Sequence, residues 1–194
     1  MVREDPDREL MLRFQKGDEG AFEALFKKYA PSLINFSFRF LGSRMRAEEA
    51  AQEVLIKVYQ ARQDYRPEAR FSTWIYRIAT NFCLNEVRRP ENRYKKVAFN
   101  PAPEGEDEVP LQIPDEQSPR PEEDLAYRRL DKAFQNALTR LPDRQRAAFL
   151  LSRFENATYL EVARTLGCSE SSVRSLIHRA SVAIREELKE FIEP

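Results

Sequence analysis

The sequence predicts an all-α protein: two small helical domains joined by an extended, acidic, proline-rich linker. Three observations carry this reading. Apolar residues recur at three- and four-residue spacing through most of the chain, the period of a helix with one buried face. No stretch of useful length alternates as a half-buried strand would. Six of the 12 prolines fall between Pro101 and Pro121, in a segment (NPAPEGEDEVPLQIPDEQSPRP) with little apolar periodicity. Proline removes backbone donors and like charges repel, so such a segment is expected to be extended. The expected boundaries are 1–96, 97–124 and 125–194.

Net charge is zero, with 32 basic and 32 acidic residues, but its distribution is uneven. Residues 97–124 hold nine acidic residues and one basic, Arg120, which leaves +8 on the remainder. Two mildly basic blocks therefore flank an acidic bridge, a weak pointer to a polyanionic partner.

In the first block, Leu10, Met11 and Phe14 line one face of a short helix that ends at Gly17-Asp18. Ala21, Phe22, Leu25, Phe26 and Tyr29 begin a second helix. Pro31 is expected to bend or restart it, with Leu33, Phe36 and Phe40 continuing the stripe to Gly42. Ala47 to Ala61 is a third helix, with Ala51, Val54, Leu55 and Val58 inward. Asp64 to Arg70 reads as a loop centred on Pro67. Phe71 to Arg89 is a fourth helix, and the spacing of Trp74 with Ile75 and Ile78 favours a core role for the tryptophan.

In the last block, Leu125, Leu130, Phe134 and Leu138 share a stripe. Leu141-Pro142 separates that helix from one carrying Ala147, Leu150 and Leu151. A short helix follows from Tyr159 to Leu166, opened by a capping box of Thr158 and Glu161. A turn at Gly167-Cys168-Ser169 leads into a helix from Glu170 to about Phe191.

These last two helices and their turn have the form of a DNA-binding helix-turn-helix. Ala163 is small where the helices cross, and Gly167 permits a positive φ in the turn. Ser169 is a good N-cap, and Val173 and Ile177 supply the buried face. The outward positions are Ser171, Ser172, Arg174, Ser175, His178 and Arg179, short polar and cationic groups suited to phosphates and base edges.

The helix-turn-helix sits within LTRLPDRQRAAFLLSRFENATYLEVARTLGCSESSVRSLIHRA, which resembles region 4 of bacterial RNA polymerase sigma factors. The segments RFQKGDEGAFEALFKKYAPSLINFSFRFLG, AEEAAQEVLIKVYQ and FSTWIYRIATNFCLNEVRR resemble region 2 of the extracytoplasmic-function (ECF) type, in the expected order. The likeness spans all but the linker and the extreme ends. It implies a region 2 helical bundle and a region 4 helix-turn-helix that together direct core RNA polymerase to promoters and help melt the −10 element. Departures lie at Glu49-Ala50-Ala51, where Asp-Leu-Val is frequent, at Leu55, where Phe is common, and at Ser169, Ser171, Ser172 and Leu176 in the recognition segment. The last four bear on which −35 sequence is read.

The resemblance implies site residues and partners. Glu49, Gln52 and Glu53 are implied to contact the β′ clamp helices of core polymerase. Tyr65, Arg66, Arg70, Phe71, Arg77, Asn81, Asn85 and Arg88 are implied to bind −10 DNA, where an extruded base needs a shaped polar pocket. Arg89 stands beside them. Ser171, Ser172, Arg174, Ser175, His178 and Arg179 are implied to bind the −35 element, with the second domain also meeting the β-flap. The acidic linker is implied to occupy a basic channel of the polymerase, and an anti-sigma factor is an expected partner.

Other classes find little footing. The 5 glycines are scattered and form no phosphate-cradling loop. With 2 cysteines and 1 histidine, no metal site and no cofactor is expected, nor is an enzymatic constellation. Cys83 and Cys168 are expected to be reduced thiols in a cytoplasmic protein. No segment has the apolar length of a membrane span, and residues 1–7 lack the apolar run of a secretory signal. The alternative is a one-component helix-turn-helix regulator, which has no use for the TWIYRIATN segment or the acidic linker.

Overall fold

The structure, a computed structural model, describes residues 5–89 and 121–192. The acidic segment expected at 97–124 lies outside these residues as far as 120. Helix α1 runs Pro6–Gln15, α2 Glu19–Leu41, α3 Arg44–Gln60 and α4 Phe71–Arg88, with a 3-10 turn at Ala61–Asp64. In the second domain α5 runs Pro121–Arg140, α6 Asp143–Arg153, α7 Tyr159–Leu166, α8 Glu170–Glu187 and α9 Lys189–Ile192.

Local chemistry sets most of these ends. Asp5 caps α1 by accepting from the Asp7 amide at 3.2 Å, and its other oxygen accepts from the Phe71 amide at 2.8 Å, so one carboxylate ties the starts of α1 and α4 together. Asp18 caps α2 through the Ala21 amide and is gripped by Arg13 at 2.6 and 2.9 Å. Asp7 is buried, but Lys28 and Tyr29 both donate to it within 2.7 Å, which satisfies a charge that would otherwise be costly to desolvate.

Helix α2 runs unbroken through Pro31, so the chain does not restart there. A proline removes one intrahelical donor, and here Leu25 and Leu33 on either side stay locked in the core. Gly42 then ends the helix at φ 73°, its amide donating to the Phe38 carbonyl at 2.8 Å. Helix α5 begins at Pro121 rather than near Leu125. Proline suits the first helical position, where no intrahelical donor is needed.

The first core gathers Met11, Phe14, Leu33, Phe36, Phe40, Val54, Phe71 and Ile75; the second gathers Leu138, Leu150, Val162, Val173, Ile177 and Ala180. The two domains pack together, with α2 against α5 and α6, and α4 against α6 and α7. Arg146 on α6 is 1% exposed and donates to the Phe40 carbonyl across this boundary at 2.5 Å.

Candidate nucleic-acid and polymerase interfaces

The helix-turn-helix forms as its spacing requires. Thr158 and Glu161 make a reciprocal capping box at the start of α7. Gly167 ends α7 at φ 59°, and the Cys168 amide closes the turn on the Ala163 carbonyl at 3.0 Å. The Ser169 hydroxyl caps α8 through the Ser172 amide at 3.2 Å. Val173, Ile177, Ala180 and Ile184 face inward. All six outward candidates, Ser171, Ser172, Arg174, Ser175, His178 and Arg179, are exposed.

They divide between two sides of α8. Ser171, Ser172, Ser175 and Arg179 line an open groove with Cys168, Leu176 and Arg144. Arg174 turns away from this groove, its guanidinium 5.8 Å from the centre of the Tyr159 ring. Arg144 was not singled out by the sequence. It sits in the first turn of α6 and donates to the Leu166 carbonyl at 2.8 Å, so it braces the turn while adding a cation to the groove. Its only sequence signal is the Asp-Arg-Gln-Arg run after Leu141-Pro142.

On α4, Arg77, Asn81, Asn85 and Arg88 are exposed and fall on one stripe at helical spacing. Arg66 and Arg70 are exposed in the preceding loop, where the Arg66 guanidinium donates to the Gln63 and Tyr65 carbonyls. Arg89 follows, paired with Glu86 at 3.1 Å. Tyr65 and Phe71 depart from the expectation that they line an open pocket. They are 1% and 0% exposed, and with half-buried Trp74 they form an aromatic cluster of ring centres 5.0–6.0 Å apart. Sinking these rings under the loop removes large apolar surfaces from water. Burial pushes the Tyr65 hydroxyl up to about 12, and it finds no hydrogen-bond partner.

On α3, Glu49, Gln52 and Glu53 are exposed on one face, flanked by two exposed apolar side chains, Met45 and Ile56. Neither flanking residue was foreseen; both follow the spacing of the polar trio along the helix. Carboxylates bordered by apolar side chains can offer both charge and desolvated area to a partner.

The cleft between the domains is lined by Arg70, Thr73 and Tyr76 from α4 and its approach, and by Glu155 and Glu161 from the second domain. Thr73 donates to Glu161 at 2.6 Å. Burial alone would raise the Glu161 carboxyl, but hydrogen bonds from Thr73 and Thr158 outweigh it and hold the group below its ordinary value. Burial pushes the Glu155 carboxyl up to about 7, against a hydrogen bond from Tyr76. Cys83 and Cys168 are free thiols, and burial pushes Cys83 up to about 12. Among the described residues no helix is long and apolar enough to cross a membrane.

Two all-α domains, one of them carrying a capped helix-turn-helix with a polar outer face, have the form of a DNA-binding protein. Comparison with known proteins is specific. Residues 25–93 match Sigma-70 region 2 and residues 131–184 match Sigma-70 region 4. The chain is 32% identical over 193 residues to the RNA polymerase sigma-H factor of Pseudomonas aeruginosa, covering 97% of each. It is 28% identical to the ECF sigma factor SigW of Bacillus subtilis, covering 91% of this chain and 93% of the relative. Its fold is similar to the sigma factor RpoE of Bartonella quintana, solved with the anti-sigma factor NepR (TM-score 0.65, 19% identity, 89% of this chain and 98% of the other). It is also similar to CnrH, solved with the cytosolic domain of CnrY (TM-score 0.64, 20% identity, 96% of this chain and 99% of the other). The chain belongs to the RNA polymerase sigma factors of the ECF type. It serves transcription initiation, binding core polymerase and recognising the −35 and −10 promoter elements; the one-component regulator reading is not favoured.

Proposed function

We propose a division of this activity among three exposed faces. The α3 face of Glu49, Gln52 and Glu53, with Met45 and Ile56, docks on the β′ clamp helices. The α4 stripe of Arg77, Asn81, Asn85 and Arg88, with Arg66 and Arg70, takes the −10 strand, while buried Tyr65 and Phe71 hold the loop in shape. The groove of Ser171, Ser172, Ser175, Arg179 and Arg144, with Arg174 and His178 beside it, takes the −35 duplex. Domains divided at 1–96, 97–124 and 125–194 suit this plan. The acidic segment occupies a polymerase channel, and the second domain reaches the β-flap.

The observation that carries the reading is that three polar faces stand exposed on three separate elements, each on a domain that matches the corresponding sigma region. The protein works in the cytoplasm with polymerase and is not itself an enzyme. An anti-sigma factor is a fitting partner, since both fold relatives were solved with proteins bound, one of them described as an anti-sigma factor.

The test is Asn81→Ala in reconstituted holoenzyme, on duplex and pre-melted −10 templates. An exposed amide that both donates and accepts suits an extruded base. The expected result is a loss of open complexes on duplex with −35 binding retained. Normal open-complex formation on both templates would remove Asn81, and with it the centre of the stripe.

A further inference from the structure

A loop that presents side chains to a ligand needs its backbone held, and the loop before α4 has few bonds of its own. Between Tyr65 and Arg70, among the described residues, the backbone closes one turn bond, the Glu68 amide donating to the Arg66 carbonyl at 2.8 Å. Helix α4 then begins without help from its own N-cap residue, since Arg70 makes no side-chain cap. Backbone groups left without partners at a helix start are costly, so another element must meet them.

That element is α1, at both of its ends. At its start the Asp5 carboxylate accepts from the Phe71 amide at 2.8 Å with one oxygen and from the Asp7 amide at 3.2 Å with the other. A carboxylate at this place also suits the positive end of α4. At the other end of α1, half-buried Gln15 turns its side-chain amide on the loop and the turn before it. The nitrogen has two hydrogens and two acceptors, the Arg62 carbonyl at 2.6 Å and the Tyr65 carbonyl at 3.1 Å. Gln63 answers by donating to the Gln15 carbonyl at 3.2 Å, one of the acceptors that the end of α1 leaves open. The Arg66 guanidinium donates to the same Tyr65 carbonyl at 3.3 Å, so what holds that carbonyl also places Arg66.

We propose that α1 is a splint for the −10 loop, with Asp5 and Gln15 as positioning residues for capture of the −10 strand. The inference rests on the reading that Arg66, Arg70 and the α4 stripe take that strand. Both residues act through the backbone, and neither is required to touch DNA. Asp5 fixes where α4 starts, and with it Arg70 and the stripe that begins at Arg77. Gln15 fixes the Tyr65 carbonyl, and with it Arg66 and the rings beneath the loop. The Tyr65 and Trp74 ring centres are 5.0 Å apart, so a loosened Tyr65 uncovers the indole. A loop that spends about a tenth of its time in the binding form binds about tenfold more weakly, with no contact to DNA removed.

The experiment compares Gln15→Ala, Gln15→Glu and Asp5→Ala with the unaltered full chain. Gln15→Glu keeps the length of the side chain and sets a carboxylate against two carbonyls. In holoenzyme each variant should bind a single-stranded −10 oligonucleotide at least about tenfold more weakly, while −35 duplex binding and competition for core polymerase stay unchanged. Trp74 is the one tryptophan of the chain, which makes it a probe of the loop in the free protein. Its quenching by acrylamide should rise at least about twofold in the Gln15 variants, with helicity unchanged. Arg13→Ala, which removes the bonds from α1 to Asp18 at the start of α2, should leave both readings as they are. If Asp5→Ala loses helicity, the two Gln15 variants decide. Unchanged oligonucleotide binding in the Gln15 variants where Asn81→Ala loses it, or an equal loss with Arg13→Ala, would overturn the proposal. Normal oligonucleotide binding by Asn81→Ala would count against the −10 reading, while the quenching of Trp74 would still decide whether α1 holds the loop.

Discussion

Arg174 and Arg179 are five residues apart on one helix and do different things with their guanidinium groups. Arg174 lies in the early turns of α8 over Tyr159, while Arg179 shares a groove with three serines and Arg144. Recognition helices present their N-terminal residues to base edges, so on the proposed function Arg174 would read a base directly, with guanine O6 and N7 as the matching acceptors. On the same proposal Arg179 and Arg144 would hold phosphates. Arg174→Ala should then cost about 1–3 kcal/mol and relax preference at one −35 position. Arg179→Ala and Arg144→Ala should weaken all −35 variants by a similar factor and each flatten the salt dependence by roughly one unit of slope. Holoenzyme binding to single-base −35 variants at several salt concentrations measures both. A uniform loss with Arg174→Ala would make it a phosphate contact instead.

At the scale of elements, the α7 cap and the α3 face give separate tests. Thr158→Ala removes the side-chain half of the capping box and should lower stability by about 1 kcal/mol in denaturant unfolding. An unchanged midpoint would mean the cap is redundant with tertiary packing. Gln52→Ala with Glu53→Ala changes exposed residues, which shifts stability by only about 0.5 kcal/mol, so a weaker competitor for core polymerase with an unchanged melting point is expected. Normal competition would move the clamp contact elsewhere on the helix. The helix-turn-helix was legible in the sequence because its signals are local: Thr158 with Glu161, Gly167 and Ser169 each act within a few residues. Continuity of α2 through Pro31 was not, since the packing on both sides of a proline is tertiary. Tyr65 and Phe71 were read as a binding surface for the same reason. A loop aromatic that stacks on a base and one that fills a core have the same local pattern. Arg146 carried no sequence sign of burial, because its partner carbonyl at Phe40 is distant along the chain.

For the molecule as a whole, the packing of the two domains is expected to depend on pH. Burial raises the Glu155 carboxyl from an ordinary 4.5 to about 7, and the groups sharing its cleft are Arg70, Tyr76 and Glu161. Because its value is raised where the two domains meet, Glu155 favours their packing fully below the ordinary value, and this contribution is lost as pH rises through about 7. Glu161 is lowered, so its contribution is lost only as pH falls below its ordinary value. Small-angle scattering from the free chain should therefore show a smaller radius of gyration at about pH 5.5 than at about pH 8, and Glu155→Gln should remove the difference. Equal radii for the unaltered chain would mean that Glu155 does not govern how the domains pack. The central claim is that these two domains together direct polymerase to promoters, and its most direct test is run-off transcription with core RNA polymerase on a library of genomic fragments. The account expects transcripts that appear only when the chain is added and that start downstream of a shared pair of −35 and −10 sequences. The same transcripts without the chain, or none with it, would contradict that claim.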